Sequence, residues 1–176
     1  QKRKGELARL IEETCQLLLP KCRVTTTPSE TADSLVPNEW NTLLQAQINE
    51  MAPPLDLVWE PAKQWWPTLY EYVVTRCQGV ALATDEQMVT RLAYLFLLED
   101  GGVCVLQGSQ PERALSEHAN WQLPPGFLAL YAHVHNGFCD DLSGLLPLDP
   151  SWLQQDLESC TAKGVTRIYT NGGGDY

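Results

Sequence analysis

No apolar run in this 176-residue chain approaches the roughly 20 residues that a membrane-spanning helix needs. The longest, Leu92 to Leu98, stops at Glu99 and Asp100. There is no CxxC pair, and six cysteines, at positions 15, 22, 77, 104, 139 and 160, are too few for a disulfide scaffold. Several stand in apolar runs such as Val103-Cys104-Val105, which is how buried thiols of a cytoplasmic protein are placed. Basic residues are also scarce. Twelve Lys and Arg against 22 Asp and Glu leave a formal charge of -10, and a surface of that sign repels phosphates and anionic lipid. Neither nucleic acid nor membrane is therefore expected as a partner. Internal repeats and low-complexity segments are absent too. What is present is 44% hydrophobic and 19% charged, enough to build a core within one domain and too apolar for wholesale disorder.

The opening Gln1-Lys2-Arg3-Lys4 has no methionine and leads into an amphipathic pattern, not a secretory core, so it is read as the edge of a fragment. Leu7, Leu10, Ile11, Cys15, Leu18 and Leu19 recur at helical spacing, and Pro20 ends a helix over 5–19. A short strand at Val24 and a polar loop to residue 34 follow. Asn38 can cap a second helix to about Met51, with Trp40, Leu43, Leu44, Gln47 and Ile48 on one face. Leu55 to Trp59 reads as extended, and Thr68 to Cys77 as a helix after the prolines that bracket Trp65 and Trp66. Thr84 and Gln87 form a capping-box pattern, which with Gly101-Gly102 as a stop favours a helix over 85–99. The competing reading is a strand from Leu92 to Leu98 that turns at Glu-Asp-Gly-Gly into Val103–Leu106. Pro124 and Pro125 open a helix that ends at Asn136-Gly137; Gly144 to Leu148 should be a strand. Asp149 and Ser151 can cap a short helix, Val165 to Tyr169 is a strand, and Asn171-Gly-Gly-Gly-Asp-Tyr176 is a turn.

Few constellations invite chemistry. His133, His135 and Cys139, with Asp140 and Asp141 beside them, form one metal-like cluster. On a helix, however, residues two apart point about 200° away from each other, so the two imidazoles can share an ion only if the helix has unwound at Val134. A histidine bonded to backbone at a helix end is the plainer reading. A Cys139 nucleophile is disfavoured by two adjacent aspartates, which would raise its thiol pKa. The glycine run before Asp175 has no lysine or helix N-terminus to hold a phosphate. No metal and no cofactor is expected, and Asp140, Asp141 and Asp149 read as a solvated acidic rim. Six tryptophans are many; the adjacent Trp65 and Trp66 cannot both face one side of a regular element, so one is a candidate interface anchor.

Trp121-Gln-Leu-Pro-Pro-Gly-Phe-Leu-Ala-Leu-Tyr-Ala-His-Val-His-Asn-Gly-Phe138, then Gly144-Leu-Leu-Pro-Leu148, then Thr170-Asn-Gly-Gly-Gly-Asp-Tyr176 together resemble the SMI1/KNR4 (SUKH) superfamily. Leu123 and Pro124 match its LP, Asn136 and Gly137 its NG turn, and Gly174 and Asp175 its GD. The likeness covers residues 115 to 176, and the family's closing strands would follow Tyr176. It implies an α+β fold, a mixed, mostly antiparallel sheet flanked by helices, used to bind protein without catalysis. Residues 1–110 are then a mainly helical N-terminal region packed on the same core, and 111–176 the family-like segment. Bacterial members are commonly cytoplasmic immunity proteins that neutralise a cognate polymorphic toxin, often a nuclease, of contact-dependent or type VI systems. Fungal members are regulators and scaffolds. The acidic charge suits a cover for a basic toxin cleft. Asp140, Asp141, Asp175, Trp65 and Trp66 are the expected partner-facing residues; Leu123, Pro124, Asn136, Gly137 and Gly174 are expected to shape the fold. A regulatory or scaffold domain of a larger intracellular protein is the alternative, and a Cys/His metalloprotein or hydrolase the third reading.

Overall fold

Strand β3, Thr90–Leu97, explains the architecture best, because Leu92 through Phe96 are all buried. A strand buried on consecutive residues must be covered on both faces. The computed structural model describes residues 2–27, 36–50, 53–116, 123–140, 144–148 and 169–170. Among these, seven strands form one antiparallel sheet in sequence order: β1 Arg23–Thr25, β2 Cys77–Thr84, β3, β4 Val103–Gly108, β5 Phe138–Cys139, β6 Gly144–Leu145 and β7 Tyr169–Thr170. Five α-helices accompany it: α1 Lys2–Leu18, α2 Asn38–Glu50, α3 Asp56–Trp59, α4 Pro67–Arg76 and α5 Pro125–Tyr131. The fold is α+β, as expected, and the described sheet is antiparallel throughout.

One face of the sheet is lined by small residues. Ala81, Ala83 and Ala93 share it with Leu95 and Val105, and Ile11 and Cys15 of α1, with Leu19 just after it, cover them. The opposite face carries Val80, Leu82, Leu92, Tyr94 and Phe96, larger side chains that need more cover. Trp40, Leu43 and Leu44 of α2, Val58 and Trp59 of α3, Val73 of α4 and Leu130 and Tyr131 of α5 supply it. At roughly 1.5–3 kcal/mol for each fully buried large apolar side chain, this face supplies most of the hydrophobic stabilisation.

The two-sided burial corrects the reading of 85–99 as a helix. Thr84 does not cap: its hydroxyl is bonded to that of Thr90 at 2.9 Å, across the mouth of a β-turn. The glycines at the far end make a second hairpin, where Leu98 N–H donates to Gly102 O at 2.8 Å and Gly101 takes φ +82°. Helix therefore ends at Arg76, and the three longest strands occupy most of 77–108, in line with the competing reading of a strand over Leu92–Leu98 that turns into Val103–Leu106. Leu55 to Trp59 is also not extended. Leu57 N–H bonds Pro54 O, and Trp59 N–H bonds Leu55 O, a turn that buries Val58 and Trp59 together. The helix expected to reach Asn136 stops at Tyr131 and continues as turns. The helix after Asp149, most of the strand before Tyr169 and the turn at 171–176 lie outside the described residues.

β1 is three residues long and pairs only with Leu82, Ala83 and Thr84. Beyond it, the Val80 backbone faces a gap, and Gln47 of α2 fills this. Its amide Nε2 donates to Val80 O at 3.0 Å, and its Oε1 accepts from Val80 N–H at 2.7 Å. The side chain stands in for one more peptide of the missing strand. Replacing it by leucine leaves two buried backbone groups unpaired, so Gln47→Leu should destabilise the protein by about 2–5 kcal/mol. Urea denaturation checks this: a loss below about 0.5 kcal/mol would mean that water replaces the amide at no cost.

Candidate functional site

His135, the histidine at the centre of the metal-like cluster, is fully buried. It follows α5, whose end delivers it beneath β4, and Gly108 makes room for it, since a Cβ there would collide with the imidazole. Ser109 O lies 3.1 Å from Nδ1, and a carbonyl can only accept, so Nδ1 carries the proton. Nε2 is then an acceptor for the Tyr94 hydroxyl at 2.6 Å, and that oxygen accepts from Trp59 Nε1–H at 3.0 Å. Each side-chain polar atom of Trp59, Tyr94 and His135 thus has a partner. Trp40, Trp59, Tyr94 and Phe138 enclose the ring, with centroids 5.4–6.1 Å away. Burial drives the imidazole pKa down to about 3, against a smaller upward pull from the Ser109 carbonyl.

This arrangement divides the cluster. His133 is exposed, His135 is sealed in the core, and Cys139 is half-buried on β5. Among the described residues no group of three His, Cys, Asp or Glu side chains could hold a metal ion. Cys15 and Cys77 are free, buried thiols whose pKa burial pushes up to about 12, which leaves them protonated and unreactive near neutrality.

Asn136 and Gly137 shape the corner after His135. The Asn136 side-chain amide donates to Leu148 O at 2.6 Å and accepts from Leu148 N–H at 2.7 Å, tying the segment after β6 to the end of the helix. Gly137 has φ +86° and lies against the Pro147 backbone, where a Cβ would find no space. Leu123 packs on the core and Pro124 stands as the N-cap of α5. Gly174, Asp175 and Asp141 lie outside the described residues.

The two tryptophans differ in burial, although both lie against Gly126. Trp66 is half-buried, and its Nε1–H donates to Gly126 O of α5. Trp65 remains 48% exposed, seated over Gly126. With Pro67, Thr68, Leu69 and Tyr72 they line a shallow, largely apolar groove along the start of α4. Pro67 at the first helical position fixes that start immediately after Trp66. Tyr72 is 39% exposed and stacks on Phe96 at 5.2 Å. Its hydroxyl pKa is raised by burial and then by Cys104, and the Cys104 thiol by burial and then by Asp140. Neither Leu69, whose spacing with Val73 supports the helix, nor Tyr72 was read as a site residue in the sequence, although their three-residue spacing on α4 is the available signal.

A second hollow, of about 320 Å³, also escaped notice. Pro37, Trp40, Leu57, Val58 and Pro61 form its apolar part, and Glu39, Arg113 and His133 its lip, where Arg113 and Glu39 pair at 3.7 Å. Both ions are mostly exposed, so the pair adds little stability. No family model, curated protein or solved structure matches the chain.

The buried imidazole sets an acid limit. The unfolded chain takes up a proton near the ordinary pKa of 6.5, whereas folded His135 resists it until about 3. This contribution is complete above pH 6.5 and is lost as pH falls, at up to about 1.4 kcal/mol per pH unit. Urea unfolding from pH 7 to 4 should show that slope, and His135→Gln, which keeps a donor and an acceptor, should flatten it. A His135 imidazole signal, identified by its loss in His135→Gln, that titrates above pH 5 in the folded protein would contradict the assignment.

Proposed function

We propose that this protein is a non-catalytic binding module of the SUKH type, and specifically an immunity protein that neutralises a basic cognate toxin by covering its active site. The observation that carries this reading is the exposed aromatic groove of Trp65, Leu69 and Tyr72, set in a chain of formal charge -10. Exposed tryptophan and tyrosine over a rigid element are the usual anchors of protein interfaces. Glu71 on α4, the helix that bears the groove, is exposed, as are Glu99 and Asp100 at the β3–β4 turn. Arg76 neutralises part of this charge through Glu99, at 3.2 Å. A basic enzyme cleft rimmed by lysine and arginine is the complementary surface, and long-range attraction would speed its capture.

The reading gains further support from the fate of the cluster that had offered an alternative. His135 is committed to the core by its bonds to Tyr94 and Ser109. The order of the α5 helix, the Asn136-Gly137 corner and β6 agrees with the pattern on which the resemblance rests.

Affinity capture of the tagged protein from the source cell, at low and moderate salt, is the direct test. A single dominant basic protein is expected, bound one to one, with association slowing at least several-fold between about 50 and 500 mM salt. Trp65→Ala should weaken that complex about tenfold or more with little change in Tm, because the ring is half exposed. Several weak partners in place of one would instead favour a scaffold role.

A further inference from the structure

The turn between β2 and β3 holds a residue that its geometry does not favour. Asp85 N–H bonds Val89 O at 3.1 Å and Met88 N–H bonds Asp85 O at 3.0 Å, which makes a three-residue hairpin loop of a type I turn followed by one left-handed residue. Glycine is the usual occupant of that last position. Here it is Met88, at φ +63°, and among the described residues it alone is a non-glycine with positive φ.

The loop is held firmly in that shape. Asp85 Oδ1 accepts from Gln87 N–H and Val89 N–H, both at 2.9 Å, and Oδ2 pairs with Arg91 at 2.8 Å. These bonds hold the carboxyl below its ordinary pKa, the backbone donor Val89 contributing most. The Thr84–Thr90 hydroxyl bond closes the base of the loop. A rigid clamp therefore presents an unbranched apolar side chain that is 76% exposed, next to Val89, which is also exposed, and Glu86. Neither folding nor solubility is served by a methionine there; a glycine or asparagine would relax the backbone and remove apolar surface from water.

We propose that the Met88–Val89 tip is an anchor that inserts into an apolar pocket on the protein partner, with Glu86 facing a basic rim of that pocket. Methionine suits such a role, since its flexible thioether fills irregular cavities. The proposal rests on the binding-module reading and adds a second contact to it, on the β2–β3 turn instead of the α4 groove.

Met88→Gly and Met88→Asn test it, since both residues tolerate the left-handed conformation and the Asp85 clamp remains. Each should raise Tm by about 2–4 °C through relief of the backbone. Each should also weaken the captured complex by about tenfold or more. In peroxide, Met88 of the free protein should oxidise readily, and in the complex it should be protected at least several-fold. Wild-type affinity in both variants, or equal oxidation free and bound, would overturn the anchor while leaving the binding module intact. Failure of the wild-type chain to retain any dominant partner would remove both.

Discussion

The Tyr94 hydroxyl stands at the middle of the four-helix face of the sheet, where no solvent reaches it, and must find partners within the protein. It takes them from distant parts of the chain: Trp59 of α3 on one side and His135, beyond α5, on the other. His135 in turn requires the Ser109 carbonyl after β4 and a glycine at 108. A single buried polar atom on β3 thus fixes where α3, the end of α5 and the exit from β4 sit. Apolar packing alone tolerates many arrangements of similar volume, whereas a fully bonded chain of this kind tolerates few.

Covering the sheet on both faces explains which elements the sequence revealed. Amphipathic helices α1 and α2 were legible because each has a wet face, and Ile11, Cys15, Trp40 and Leu44 recur at 3.6-residue spacing. β2 and β3 have no wet face over most of their length, so Val80 to Ala83 and Leu92 to Phe96 lack the alternation that marks a strand. Without it, Thr84, Gln87 and the two glycines resembled helix caps. They are turn residues, and what decides between the two uses is the partner strand, which no local pattern contains. Short helix α3 was missed for a related reason, since its form follows from the burial of Trp59.

The site was legible in part. Adjacency pointed to one exposed ring of the Trp65–Trp66 pair, and Trp65 is 48% exposed, but that both rings meet Gly126 and line one groove was not legible. The two-residue spacing argument against an ion shared by His133 and His135 required an intact helix at Val134, and the chain is in turns at 132–134. What keeps the imidazoles apart is the depth of His135, a consequence of its bond to Tyr94. Gln47 could not have been identified as a backbone mimic, because the gap it fills exists only once β1 proves to be three residues long. Nor does a lone methionine in a polar stretch announce a left-handed backbone.

A binding protein must keep its contact groups ordered before the partner arrives, or lose affinity to the cost of ordering them. Here the groups offered as contacts are on rigid supports. Trp65 rests on Gly126 of a neighbouring helix, Tyr72 is stacked on Phe96 of the central strand, and Met88 is held by a saturated carboxylate. The acidic surface acts differently, at a distance and without fixed geometry, so it can select a partner by charge before any of these side chains touches it. In the proposed reading, charge sets how fast the complex forms. The ordered apolar groups then determine how long it lasts, since affinity among related interfaces varies mainly through dissociation.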